Sequence, residues 1–267
     1  MNIDENVVKF IKSSRCSVYT SELSESEETR LRVLFNDCLS AIINQYVEEF
    51  MPSFIICDTY NKYSTVLPVR LYENSYKYYI LYDCHLNQIN RLLDALYLDD
   101  GESAHDIWKL SYELFAEDAV LENNKVLVSY YGMNKIALGS FDVNIEKQVE
   151  LDFIIDIQKR YVIGHELGHW IYKVLGRKNN ENILNINPDA EWTQFLENIK
   201  AILCDLYEEY EKKFKSKEYV ELIREQRYLV NENNEILEGC FADAIAYALT
   251  FSYVSENYPN SLNRKLL

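Results

Sequence analysis

The sequence predicts an α+β fold, predominantly helical, with a small three-stranded sheet. Three observations predict it. Glycine (7) and proline (4) are scarce in 267 residues, so tight turns are few and long elements are favoured. Three short runs of β-branched and aromatic residues follow one another between 53 and 83. Almost everywhere else the apolar residues recur at helical spacing. A chain of this length can bury a sizeable core. We expect one domain, 1–267, with an N-terminal helical part (1–52), the sheet (53–83) and a helical part (84–267).

The first element is "SELSESEETRLRVLFNDCLSAIINQYVEEF", which opens with a Ser/Glu cluster of the helix-capping type. Leu31, Leu34, Leu39, Ile42 and Ile43 then mark a helical face, and Pro52 ends the helix. The strands are "SFIICDTY" (53–60), "STVLPVRLY" (64–72) and "YKYYILYD" (76–83), separated by turn-prone "NK" and "ENS". Pro68 lacks a backbone N–H, so its strand belongs at an edge or a bulge.

From "HLNQINRLLDALYL" onward the pattern is helical, apart from a weak strand candidate at "VLVSYY". A helix is predicted from about Glu146 to Gly176, with the glycine as its C-cap. Further helices are predicted at 190–214, 217–228 and 234–255. The run "YEEYEKKFKSKEYVELIREQR" carries both signs of charge and reads as a solvated helical face.

Composition narrows the function. A formal net charge of −16 opposes a nucleic-acid or anionic-membrane surface, because phosphate demands a basic footprint. The opening "MNIDENVVKFIKSS" does not read as a signal peptide, and no run approaches the roughly 18 apolar residues of a membrane span. The six cysteines are scattered with no CxxC pair, as expected of reduced thiols in a cytoplasmic protein.

The chemistry concentrates in "YVIGHELGHWIYKV", residues 161–174, which holds two of the four histidines. Residues four apart on a helix lie one turn above each other, so His165 and His169 can aim two imidazoles at one zinc ion. Glu166 stands to one side, where a carboxylate can act as general base on a water activated by the metal. Chance gives this pattern on the order of once in a hundred chains of such composition. The flanking "YVI" and "WIYKVL" make a helix buried on most sides, where unpaired imidazoles and a carboxylate are costly. Gly164 and Gly168 each cost about 1 kcal/mol relative to alanine in a helix interior, which implies that something packs closely there.

Two histidines leave zinc short of a protein ligand. His85 and His105 read as ordinary helix-start or surface residues. The stretch "EILEGCFADAIAYALT" (235–250) places two carboxylates, Glu238 and Asp243, in an otherwise apolar, small-residue helix, where acids need partners. The acids of "ILCDLYEEYEKK" (202–213) fall in a polar helix and read as solvated. Glu238 and Asp243 are five apart, about 140° further round an ideal helix, so the two cannot share one line along it. Either can complete the site, and glutamate has the longer reach.

With these residues the chain resembles the gluzincin group of zinc metallopeptidases, in which HExxH is followed by a helix bearing a glutamate ligand. The resemblance covers the "HELGH" helix, the "EGCFAD" helix and the upstream sheet, in the order of the compact intracellular bacterial members. It implies a zincin-like fold with the small sheet next to the HExxH helix, and zinc held by His165, His169 and Glu238. Asp243 is then the alternative ligand or a supporting group. It implies a cytoplasmic hydrolase, a metalloprotease cutting a protein or peptide substrate through Glu166, with neither nucleic acid nor membrane as partner. A tyrosine often steadies the oxyanion in such enzymes. Tyr247 shares a helical face with Asp243, but reads first as a core aromatic. Two other functions fit the same residues: a non-catalytic zinc-stabilised sensor or interaction protein, and a target-specific stress- or phage-response protease or toxin.

Overall fold

The computed structural model describes residues 23–42, 50–57, 64–70, 76–84, 90, 93–94, 98, 104–137, 145–180, 190–232 and 234–258. His85, most of "HLNQINRLLDALYL" and the two predicted turns between strands lie outside them, as does the side chain of His105. The described residues are mostly helical with a three-stranded mixed sheet, an α+β fold.

Helix α1 (Glu25–Ile42) begins with the expected capping box. The Glu27 amide donates to Ser24 Oγ at 3.3 Å, and the Ser24 amide donates back to Glu27 Oε2 at 3.0 Å. Leu31, Leu34, Phe35, Cys38 and Leu39 form its buried face. The sheet comprises β1 (Ser53–Cys57), β2 (Thr65–Arg70) and β3 (Tyr76–Asp83) in the order β1-β3-β2. β1 runs parallel to β3, with Ser53 opposite Tyr79 and Cys57 opposite Asp83. The central position of β3 explains why Tyr78 to Tyr82 are all buried. Pro68 lies on β2, an edge strand, the place expected for a residue without a backbone N–H.

Two compact units emerge. One comprises Met1–Cys38, Ser53–Leu67 and Tyr79–Ile163, and the other Leu39–Pro52, Pro68–Tyr78 and Gly164–Leu267. In the first, Phe54 of β1 stacks on Phe35 of α1 with ring centroids 4.3 Å apart. Helices α2 (Ala104–Leu121) and α3 (Lys125–Ala137) form a hairpin, its turn closed by the Asn124 amide on the Ala119 carbonyl at 2.8 Å. Asn123 takes φ 56° there, a left-handed conformation that asparagine tolerates.

"VLVSYY" is therefore not a strand but the start of α3. Asn124 Oδ1 accepts from the Leu127 amide and caps the helix, and Tyr131 then reaches Phe115 and Tyr112 of α2. Its β-branched and aromatic residues serve a helix face, and tertiary packing overrides their strand preference.

The second unit holds α4 (Ile145–Asn180) from Gly164 onward, α5 (Ala190–Lys213), α6 (Lys217–Glu232) and α7 (Asn234–Asn257). The last three match prediction to within a few residues. Helix α4 continues through Gly176, so that glycine is not its C-cap. The following "RKNN" adds two good helix formers, and glycine accepts helical φ as readily as positive φ. The mixed-charge run is the solvated face expected. Arg224 bonds Glu211 at 2.5 Å and Arg227 bonds Glu208 at 2.5 Å, pairing α6 with α5. Trp170 is fully buried and donates its indole N–H to the Phe50 carbonyl at 3.0 Å.

Candidate active site

The site is built by two helices of the second unit lying unusually close. A Cβ added at Gly168 would lie 2.5 Å from Ala242 Cα, and one at Gly164 would lie 2.9 Å from Ala246 Cα. Only glycine on α4 allows that approach to the alanines of α7, which accounts for two costly helix-interior glycines. As α4 advances from 164 to 168, its partner on α7 retreats from 246 to 242, so the helices run antiparallel here. Glu238 lies one further turn along the Ala242–Ala246 line. Asp243 sits on the flank of the contact, which is what the five-residue spacing imposes.

This approach joins the four candidate metal-ligand side chains. His165 Nδ1 lies 2.9 Å from Asp243 Oδ1, and His169 Nδ1 lies 2.7 Å from Glu238 Oε1. The two Nε2 atoms face each other at 3.0 Å. Carboxylate oxygens accept, so each Nδ1 donates. Both Nε2 atoms are then left with lone pairs pointed at one another. Such lone pairs repel unless a proton or a metal ion lies between them. The carboxylate–imidazole arrangement is also the one that fixes a ligating histidine's tautomer and raises its basicity.

Electrostatics agree with that geometry. Burial, then the neighbouring imidazole of His169, lowers the pKa of His165 below the usual histidine range, with Asp243 opposing. Burial raises the carboxyl of Glu238, but bonds from His169 and Lys173 more than offset it, so the net shift is downward. Glu166 is 6% exposed, and burial pushes its carboxyl up to about 7 against the pull of His169 and Lys173. A carboxylate poised near neutrality suits proton transfer.

Sequence reasoning missed Lys173, whose ammonium bonds Glu238 Oε1. Its signal was the spacing: His165, His169 and Lys173 recur every four residues along one helix face. Tyr247, expected first in the core, is 61% exposed. Short alanines bring α7 against α4 along the line of 242 and 246, and this leaves the flank that carries Asp243 and Tyr247 facing outward.

The residues fit a zinc ion in donor chemistry. Two Nε2 donors converge at a separation near the roughly 3.3 Å expected of two tetrahedral ligands with zinc-length bonds. Both acids are engaged on the Nδ1 side, and among the described residues no group of three or more His, Cys, Asp and Glu is arranged to hold a metal. Among the described residues no helix is long and apolar enough to cross a membrane. No protein-family model matches the chain, no curated protein is significantly similar to it, and no solved structure shares a significant likeness.

Proposed function

We propose that this protein is a zinc-dependent metallopeptidase that hydrolyses a peptide bond in a protein or peptide. The observation that supports it most is the convergence of the two Nε2 lone pairs, each imidazole backed by a carboxylate. His165 and His169 would hold the metal through Nε2. Glu238 would be the third ligand once it turns from His169, with Asp243 as its alternative or as the support of His165. A bound zinc ion supplies Lewis acidity, bringing a water's pKa towards neutrality and polarising the scissile carbonyl.

The chain's own groups do the rest. Asp243 holds His165 in the tautomer that frees Nε2. Glu166 accepts a proton from the attacking water and passes it to the leaving amine. Its low exposure keeps bulk water from competing for that proton.

The test is Glu166→Gln assayed beside wild type for zinc content and for cleavage of an unfolded protein. We expect zinc to be retained and hydrolysis to fall at least a hundredfold, the usual scale of a lost general base. Cleavage at the wild-type rate would refute the mechanism. Elemental analysis of Glu238→Ala and Asp243→Ala assigns the third ligand, since only the variant of the true ligand loses zinc.

A second reading is a zinc-stabilised interaction protein without turnover. It is favoured by Lys173, whose ammonium occupies the carboxylate that a catalytic site would give to its metal. It predicts zinc-dependent stability together with no cleavage by wild type or by Lys173→Ala.

A further inference from the structure

We propose that Tyr247 and Phe251 form a platform on α7 that selects substrate, by packing against a large apolar side chain of an extended peptide. This rests on the peptidase reading and names the substrate it favours. The two rings are stacked, with centroids 5.8 Å apart and planes 17° from parallel. They are 61% and 46% exposed, and what separates them from other open rings such as Tyr219 and Tyr228 is their place on the flank of α7 that carries Asp243.

The platform is continuous with the site. Asp243, in contact with His165, stands one helical turn before Tyr247 and two before Phe251. At a rise of 1.5 Å per residue the rings lie about 6 and about 12 Å along the helix from Asp243. An extended peptide advances about 3.3 Å per residue. A chain whose reacting carbonyl lies at the histidines therefore brings side chains roughly two to four residues away over the rings. Ala244, Ala248 and Ser252 on the same side are short and exposed, leaving a shallow floor for a backbone.

Charge selects the occupant. Helix α7 contains no lysine or arginine and carries Glu235, Glu238, Asp243 and Glu256. A phosphate-bearing ligand is repelled, whereas a neutral or basic peptide with an apolar side chain is not.

The experiment is digestion of a denatured protein mixture by zinc-loaded wild type and by Tyr247→Ala/Phe251→Ala, with cut sites read by mass spectrometry. We expect Phe, Tyr, Leu or Met to be enriched two to four residues to one side of the wild-type cuts. For matched Gly/Ser peptides carrying Phe or Ala at that position, the kcat/KM ratio should be about tenfold to a hundredfold for wild type, the worth of burying one such side chain. In the double variant it should fall towards one.

An identical cut-site profile in both proteins would overturn the proposal. So would a dimer that the double substitution dissociates without changing the profile, since the rings would then be a self-contact. If wild type cuts nothing, the peptidase reading fails, and the platform is judged by fluorescence polarisation of labelled Phe and Ala peptides on metal-free protein. Equal affinities there sink it, while preference for the Phe peptide that the double substitution abolishes upholds it.

Discussion

Two helix pairs in this molecule are joined in opposite ways. Helices α2 and α3 meet through large rings, with Tyr131 set between Tyr112 and Phe115, while Trp108, Tyr130 and Met133 remain exposed. Helices α4 and α7 meet through glycine on alanine, backbone nearly on backbone. Rings fill a wide gap and tolerate adjustment. Small residues leave none, but they let a short aspartate reach an imidazole at 2.9 Å. The side chains of the candidate site are thus positioned by the pair that has no room to move.

The sharpest way to break that contrast is Gly168→Ala. The added methyl would meet the Ala242 backbone, and overpacking of this kind costs about 3 kcal/mol. Thermal unfolding should report the loss, and His165 should lose its partner as the helices part. A Gly168→Ala protein as stable as wild type would show that the close approach is not required.

An effect of similar size is expected from pH. In metal-free protein the carboxyl of Glu166 has a pKa raised from 4.5 to about 7, so the folded state holds that proton more tightly than the unfolded chain. Its stabilising contribution is full below the unfolded value and is lost as pH rises through about 7. The loss is on the order of 3 kcal/mol. Urea titrations across that range should show the decline, and Glu166→Gln should flatten it. An equal slope in both proteins would exclude Glu166 as its source.

The smallest effect has the opposite sign. Gly132 lies within α3, and a Cβ there would meet nothing within 4 Å. Gly132→Ala should raise stability by up to about 1 kcal/mol in the same unfolding assay, so one substitution made in the two pairs moves stability in two directions. Loss of stability at Gly132 would mean that α3 is packed as tightly as α4.

The sequence foretold much of this, because strong local signals agreed with tertiary need. The Ser24–Glu27 box, the three strands, edge Pro68 and the helices from 190 onward all arise from short-range patterns. The His–Glu–x–x–His face was legible for the same reason. Glycine 164 and 168 announced a close neighbour, though not that Ala246 and Ala242 supply it. Residues 126–131 read as a strand because Val126, Val128 and Tyr130 alternate, while the cap on Asn124 and the contact with α2 lie outside that window. Gly176 reads as a stop but is none, because glycine ends a helix only where positive φ is needed. Which nitrogen each acid holds depends on how α7 lies along α4, and no spacing within α7 alone encodes that. Exposure of Tyr247 follows from the same packing.

The cysteines give the molecule a built-in clock for its own opening. Cys38, Cys57 and Cys84 are buried thiols of the first unit, and Cys204 and Cys240 are half-buried thiols of the second. Burial pushes the Cys38 thiol up to about 11 and raises Cys240 as well, so neither offers much reactive thiolate near neutral pH while folded. Alkylation of Cys38, Cys57 and Cys84 must wait for their surroundings to part, whereas Cys204 and Cys240 are already partly open. The rate at which a given buried thiol is captured therefore times the breathing of its own unit, one residue at a time.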